Sequence, residues 1–234
     1  MEGSCNVTPA ETAVSALDAI GGRKSVRRFL SDPVPEATVR KILEVSARAP
    51  SGTNSQPWFV HVAMGAARDR VSREVLAAAK AGERKEEYEY SPHPWFEPYV
   101  SRRRKVGYDL YALYGIKRED MAARTAAALR NFEFFGAPIG LFFSMDRRLL
   151  YGSWLDVGMF MQNVMVAARA FGLETCPQEA WCSYGPAVRR ALGIPDDQVL
   201  ISGMSLGYED KSAPENKLVT VREPLEGFVK FLKD

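Results

Sequence analysis

The chain has 234 residues, of which 46% are hydrophobic and 26% charged, and its formal net charge is +2. This composition is ordinary for one globular domain with a substantial core, and such a weak basic excess argues against a dedicated nucleic-acid-binding protein. The most apolar segment, residues 154–173, contains Asp156 and Arg169, so we expect a buried helix and no membrane contact.

Hydrophobic periodicity, together with glycine and proline positions, divides the chain into predicted elements. The N-terminal segment 1–20 contains a helix at 8–20, with Thr8 as its N-cap and Gly21-Gly22 as its end. Further helices are predicted at 35–49, 66–81, 95–114, 117–134, 153–171 and 183–192, with a short one near 225–232. Strands are predicted at 58–64, 139–145 and 198–207. Helices outnumber strands without alternating with them, which predicts a single α+β domain over 1–234 with an extended tail at 208–234.

The sequence offers few candidate residues for a metal site or for catalysis by histidine. The cysteines, Cys5, Cys176 and Cys182, show no metal-ligand spacing, and with no secretory signal they fit a cytoplasmic protein. His61 lies in an alternating strand pattern and is interpreted as structural, whereas His93 lies between two prolines in a turn. Neither GxGxxG nor GxxxxGK[ST] occurs, so a nucleotide cofactor would have to bind by another route than a Rossmann domain or P-loop.

A cluster of cations occurs in the segment RKSVRRF at residues 23–29. In an extended chain, the alternate residues Arg23, Ser25 and Arg27 point to the same side, while the cations between them face elsewhere. Two guanidinium groups and a hydroxyl are suitable donors for a phosphate monoester. Taken alone, however, the segment is better explained as a solvated basic turn.

Two loops carry concentrated polar groups. PSGTNSQPW, at residues 50–58, connects a predicted helix to a predicted strand and presents many donors and acceptors. GLETCPQEAW, at residues 172–181, follows the apolar helix and is interpreted as a loop whose N–H groups could contact a cofactor ring. For PSGTNSQPW, an ordinary connecting role remains open.

Taken in order, R-x-S-x-R at 23–27, PSGTNSQPW, D-x-G-x-x-x-Q-N at 156–163 and GLETCPQEAW resemble the FMN-dependent nitroreductase family. The resemblance extends from about residue 20 to about residue 230. It implies a nitroreductase-like α+β fold, in which helices surround a central, mostly antiparallel (mixed) sheet, and an intertwined homodimer with FMN at its interface. It also implies ping-pong hydride transfer from NAD(P)H, the transient reductant, to nitroaromatic or quinone substrates. The flavin N5 would perform the chemistry, without a catalytic side chain.

The resemblance assigns flavin contacts residue by residue. The phosphate and ribityl chain would be surrounded by Arg23, Lys24, Ser25 and Arg27, with a further phosphate contact from Arg222. The isoalloxazine ring would be approached from the other subunit by Pro50, Ser51, Gly52, Asn54 and Gln56. Glu179 and Ala180 would lie beside the reactive edge of the ring, although many family members have glycine at the position of Ala180.

Residues 83–116 form an insertion that resembles the lid of family members acting on nitrobenzoates and other nitroaromatics. The resemblance assigns substrate contacts to Trp95, Phe96, Tyr99 and Trp181. The four cations Arg102–Lys105 then favour an anionic partner, either a carboxylated nitroaromatic or the 2′-phosphate of NADPH. The alternative is a peripheral helix with a solvated basic stripe.

Other functions remain open on the sequence alone. The same fold could carry a reductive dehalogenase, for which Glu87, Tyr88 and Lys105 are residues of the right types, or an oxygen-dependent flavin-fragmenting enzyme. A flavin-binding regulatory protein is a non-enzymatic alternative. Nucleic-acid binding through Arg102–Lys105 is disfavoured by the near-neutral charge.

Overall fold

A four-stranded sheet forms the centre of the computed structural model, which describes residues 14–233. The strands are β1 (Phe59–Met64), β2 (Ile139–Asp146), β3 (Glu174–Gln178) and β4 (Gln198–Gly207). Their order is β1-β2-β4-β3, and every neighbouring pair is antiparallel. Parallel pairing among the described residues is limited to two isolated bridges, Ser25–Thr175 and Lys85–Tyr184. The predicted α+β class and mostly antiparallel sheet are therefore confirmed.

Helices cover both faces of this sheet. They are α1 (Ala16–Gly22), α2 (Glu36–Ser46), α3 (Gly65–Ala81), α4 (Tyr99–Leu113), α5 (Met121–Leu129), α6 (Tyr151–Ala170) and α7 (Gly185–Leu192). Helices α2 and α6 pack together against one face, and α3 and α7 pack together against the other. Strand β2 is buried on both faces, which explains why its sequence is continuously apolar.

The main difference from the predicted elements is β3, because the sequence pattern predicts a loop over these residues. Pro177 lies within it, and proline is uncommon in sheet interiors because it cannot donate to the ladder. Among the named strands, β3 pairs only with β4, so this position tolerates a proline. Recognising β3 matters for function because the segment Glu179–Ser183, a short 3₁₀ turn, follows it directly.

Other differences concern helix ends. Helix α1 is capped by the Ser15 hydroxyl, which accepts from the Asp18 N–H at 3.1 Å, and the predicted Thr8 cap lies outside the described residues. Gly21 and Gly22 are the last residues of α1 and do not lie beyond it. The predicted helix 117–134 ends at Leu129, after which a 3₁₀ segment continues to Gly136.

None of the helices in the described part of the chain combines the length and the hydropathy that crossing a bilayer demands.

Candidate functional site

The basic segment lies extended along the outer edge of β3. Ser25 forms a parallel bridge with Thr175, and the N–H of Val26 donates to the Thr175 carbonyl at 3.1 Å. Val26 is fully buried, so its neighbours on either side in the sequence face the opposite direction. The predicted extended conformation of this segment is therefore present.

The cations of the segment are divided between two sides. Lys24 Nζ forms an ion pair with Glu209 at 2.5 Å and donates to the Asn216 carbonyl at 2.7 Å. Arg28 Nε pairs with Glu215 at 3.2 Å. Because the Lys24 ammonium is held by these partners, the predicted phosphate contact from its side chain is not supported. Arg28 lies outside the group, as predicted.

Arg23, Ser25 and Arg27 remain on the other side, where all three act on Cys176. Burial raises the pKa of the Cys176 thiol to about 11, while the charges of Arg27 and Arg23 and a hydrogen bond from Ser25 oppose this rise. Within residues 14–233, no carboxylate lies within 4.0 Å of either guanidinium. Two guanidinium groups without a direct ion pair and a hydroxyl match the donors that a phosphate monoester requires. The residues present therefore fit the phosphate of FMN.

A second group of polar residues lies in the loop 50–56. Thr53, Asn54 and Gln56 have positive φ values of 50°, 61° and 47°, a conformation that residues other than glycine rarely adopt. The loop is tied to the scaffold through the N–H of Gly52, which donates to both carboxylate oxygens of the buried Asp156 at 3.2 and 3.3 Å. Such backbone strain is often concentrated at ligand-binding sites, and here it presents an exposed polar loop.

The loop 50–56 is not joined to the basic segment within one chain. Among the described hydrogen bonds, none connects it to Arg23–Arg27 or to Glu179–Ser183. Asp156 belongs to the motif D-x-G-x-x-x-Q-N, but the sequence alone does not predict that it anchors this loop.

A cavity of about 530 Å³ lies between the insertion and the turn after β3. It brings together the predicted flavin-edge residues Glu179 and Ala180 with the predicted substrate residue Trp95. Tyr88, Tyr90 and His93 also line it. Burial, reinforced by the negative charge of Glu179, raises the pKa of Tyr90, so its hydroxyl stays protonated at neutral pH. The cavity thus offers aromatic surfaces next to a carboxylate and a main-chain N–H.

The insertion is fixed to this turn at its beginning. The N–H groups of Lys85 and Glu87 donate to the carbonyls of Ser183 and Cys182, both at 2.9 Å. The buried Glu87 carboxylate accepts from Arg189 Nε and Nη2 at 2.9 and 2.8 Å, and from Arg147 Nη2 at 2.9 Å. Burial alone would raise the pKa of Glu87, but these two guanidinium groups outweigh it and lower the pKa. Sequence reasoning missed this anchor because its partners lie 60 and 102 positions away.

The four aromatic residues predicted to contact the substrate lie in three different environments. Trp95 lines the cavity, and the Arg103 guanidinium lies 5.4 Å from the centre of its ring. Phe96 and Tyr99 are exposed and pack on each other, with ring centroids 5.2 Å apart, outside the cavity lining. Trp181 is 0% exposed and packs among core phenylalanines, so the prediction that it contacts a substrate is wrong.

The four cations of α4 are also in different environments. Arg102 pairs with Glu223 at 2.5 Å, and Lys105 pairs with Asp109 at 2.8 Å. Arg103 is the member of the group that lines the cavity. The predicted basic stripe therefore contributes one guanidinium to this cavity.

Arg222, predicted as a phosphate contact, lies beside α4. Its Nη1 donates to the hydroxyl and carbonyl of Thr220 at 2.6 and 3.1 Å, and its side chain lines a small cleft with Arg102 and Lys105. No hydrogen bond in the described part of the chain joins Arg222 to Arg23 or Arg27.

His61 takes part in a small structural network. Its Nε2 lies 3.3 Å from Ser144 Oγ and 3.4 Å from Gln198 Oε1, so the contact spans β1, β2 and β4. The interpretation of His61 as structural agrees with these contacts.

Comparisons with known proteins identify a common family. The sequence model of the nitroreductase family matches residues 20–208. The chain is 41% identical to a chloronitrobenzene nitroreductase of Comamonas testosteroni, over 93% of this chain and 96% of that protein. It is 39% identical to a 4-nitrobenzoate reductase of Nocardioides sp., over 95% of this chain and 92% of that protein. Its structure matches that of the FMN and NADPH-dependent nitroreductase NfnB from Sphigopyxis sp. strain HMH, with a TM-score of 0.92, 39% identity and coverage of 94% and 100%.

Proposed function

The chain belongs to the nitroreductase family, and we propose that it is an FMN-dependent oxidoreductase that uses NAD(P)H to reduce nitroaromatic compounds. One observation carries this proposal. Glu179 and Ala180 line the same cavity as Trp95, directly after the β3 strand whose edge holds Arg23, Ser25 and Arg27. A phosphate site and an aromatic cavity therefore lie along one short stretch of the sheet, as a flavin mononucleotide requires.

The residues of the basic segment would bind the cofactor. Arg23 and Arg27 would each donate to the FMN phosphate, and the Ser25 hydroxyl would add a third donor. FMN, when bound, supplies the capacity to accept a hydride from NAD(P)H and pass reducing equivalents to a nitro group. The chain's own contribution is to hold and orient the flavin.

The residues of the cavity would orient the flavin edge and the substrate. The N–H of Ala180 would face the reactive edge of the ring, while Trp95 would offer a flat apolar wall to an aromatic substrate. Tyr88 donates its hydroxyl to the Ile201 carbonyl at 2.5 Å, and burial raises the pKa of this phenol. Since the tyrosines stay neutral and no side chain has to act as an acid or base, we propose no catalytic side chain.

We propose that two copies complete each site. The outer face of α6 carries Tyr151, Leu155 and Met159 at a spacing of four residues, and the first two are 88% and 71% exposed. The tail residues Phe228, Phe231 and Leu232 are also largely exposed. An apolar surface of this extent favours a protein partner, and a second copy would cover it. That copy would also supply the strained loop 50–56, which in the described part of the chain makes no hydrogen bond to the other proposed flavin residues.

Arg103 is the basis for a proposed substrate preference of the enzyme. Arg102 and Lys105 are neutralised by Glu223 and Asp109, whereas Arg103 lines the cavity over Trp95. A guanidinium at this position would favour a nitroaromatic that carries a carboxylate, or the 2′-phosphate of NADPH.

The structure weakens the dehalogenase alternative. The residues that would bind a zwitterionic substrate are occupied: Glu87 by two arginines, Tyr88 by the Ile201 carbonyl and Lys105 by Asp109. No specific observation favours the flavin-fragmenting, regulatory or nucleic-acid alternatives.

Steady-state assays test the proposal. Protein reconstituted with FMN should oxidise NADPH or NADH in the presence of nitrobenzene or 4-nitrobenzoate and produce a reduced nitrogen product. A protein that takes up FMN but catalyses no nitro-dependent oxidation of either nucleotide would refute the nitroreductase function and leave flavin binding intact.

A further inference from the structure

We infer that Asn216 is a positioning residue for the phosphate site: its buried carboxamide fixes the backbone of Arg27 and Arg28 and thereby directs the Arg27 guanidinium toward the flavin phosphate. The inference rests on the proposed binding of FMN. Asn216 belongs to the 3₁₀ turn Pro214–Lys217 and is 2% exposed.

The contacts of Asn216 use both ends of its amide. Oδ1 accepts from the Arg27 N–H at 2.8 Å, and Nδ2 donates to the Arg28 carbonyl at 2.8 Å. Nδ2 also donates to the Asp210 carbonyl at 2.9 Å. A carboxamide is the side chain that offers an acceptor and two donors in one plane. It can therefore bind the N–H of one residue and the carbonyl of the next, which fixes the orientation of both.

The neighbouring residue Glu215 forms ion pairs with two nearby arginines, Arg28 and Arg130. Its buried carboxylate accepts from Arg28 Nε at 3.2 Å and from Arg130 Nη1 at 3.0 Å. Arg130 Nη2 in turn donates to the Arg27 carbonyl at 3.2 Å. The turn thus binds the guanidinium groups of Arg28 and Arg130 through the Glu215 carboxylate. In the described part of the chain, Arg27 has no carboxylate partner.

These contacts assign the turn a role in ligand binding and not in folding alone. Asn216 binds the Arg27 backbone on the N–H side, and Arg130 binds it on the carbonyl side. The remaining freedom of Arg27 is that of its side chain, whose Nη1 donates to the Ser25 carbonyl at 3.2 Å. The guanidinium is therefore directed toward Ser25, the third member of the phosphate site.

The affinities of the protein for FMN and for riboflavin distinguish a role of Asn216 in phosphate binding from a role in folding alone, because the two ligands differ only by the phosphate. Asn216→Ser removes the reach of the carboxamide without adding charge. We expect the ratio of the riboflavin Kd to the FMN Kd to fall about tenfold, since a charge-assisted phosphate contact is lost, while riboflavin binding changes by less than about twofold. Arg27→Ala gives the value for complete loss of that contact.

Asn163→Ser on α6 is the matched control, because the half-buried Asn163 amide donates to the Ser46 carbonyl at 3.3 Å, away from the phosphate site. It should leave the ratio unchanged. If Asn216→Ser does not fold, Asn216→Asp keeps the acceptor for the Arg27 N–H, and its ratio is compared with that of Asn163→Asp. An unchanged ratio in a folded Asn216 variant overturns this inference alone, whereas wild-type protein that binds neither flavin overturns the proposed function as well.

Discussion

Ser25 and Thr175 form a parallel bridge at the edge of β3, and this pairing orients the basic segment. The hydrogen bond from the Val26 N–H to the Thr175 carbonyl continues the pairing, with Val26 buried. Arg23 and Arg27 consequently lie on the same side as Ser25, while Lys24 and Arg28 reach Glu209 and Glu215. The pairing at the sheet edge thus separates the run of cations into two that form ion pairs, Lys24 and Arg28, and two that do not, Arg23 and Arg27.

The double variant Arg23→Ala, Arg27→Ala should lose FMN while remaining folded. Two charge-assisted contacts to the phosphate disappear, and we expect the FMN Kd to rise at least about 100-fold. Fluorescence titration measures the Kd, and circular dichroism reports the fold. The exposed pair Arg40→Ala, Arg48→Ala is the charge-matched control. Stoichiometric FMN in the Arg23, Arg27 variant would refute the phosphate assignment.

Glu87→Gln should destabilise the protein near neutral pH. The substitution leaves Arg189 and Arg147 without their carboxylate, and breaking a buried ion pair of this kind costs about 3 kcal/mol. The folded-state pKa of Glu87 lies below its ordinary value of 4.5, so its ionised form stabilises the fold above that pH. This stabilisation is lost as the pH falls through the lowered pKa, and the difference between wild type and variant should shrink there.

Urea unfolding at several pH values measures this effect. Glu86→Gln is the control, because Glu86 forms an exposed pair with Arg84 and should change stability by less than about 1 kcal/mol. A Glu87→Gln variant as stable as Glu86→Gln at neutral pH would show that the insertion is not anchored as described.

Arg103→Gln should reduce kcat/KM for 4-nitrobenzoate about fivefold and leave the value for nitrobenzene nearly unchanged. An exposed charge contact contributes about 1 kcal/mol, which corresponds to this factor. Arg104→Gln is the neighbouring control, and the NADPH-to-NADH ratio in both variants detects a contact with the 2′-phosphate. Equal effects on charged and neutral substrates, with an unchanged nucleotide ratio, would remove Arg103 from the specificity of the cavity.

Leu155→Asp should convert a dimer to a monomer and weaken FMN binding. It places a charge in the middle of the exposed apolar stripe of α6, and the loop 50–56 of the second copy would no longer complete the site. Sedimentation velocity with and without FMN measures the association, with Ala77→Asp on the exposed side of α3 as control. Wild-type protein that binds FMN stoichiometrically as a monomer would contradict the two-copy site.

The conformation of the basic segment is easier to predict from the sequence than the ion pairs that its cations form. The alternation of Arg23, Ser25 and Arg27 is a local property of an extended chain, so it could be predicted without knowing what lies opposite. The positions of Lys24 and Arg28 could not be fully predicted, since their partners Glu209 and Glu215 lie more than 180 residues away.

The aromatic residues show the same limit. The family resemblance assigns Trp95 and Trp181 alike to the substrate, yet Trp95 lines the cavity and Trp181 is buried in the core. The difference depends on tertiary packing, because Trp181 fills the space beside Gly203 on β4, where any larger residue would collide with its ring. Local pattern gives no information about such a contact.

Anaerobic reduction and reoxidation of the bound flavin test the central proposal most directly. Protein loaded with FMN is mixed with NAD(P)H in the absence of oxygen, and its visible absorption is followed before and after addition of 4-nitrobenzoate or nitrobenzene. The proposed function predicts that NAD(P)H bleaches the flavin. It also predicts that the nitro compound restores the flavin absorption and is itself consumed in a matching amount. Flavin that is not bleached, or that stays reduced until oxygen is admitted, would contradict it.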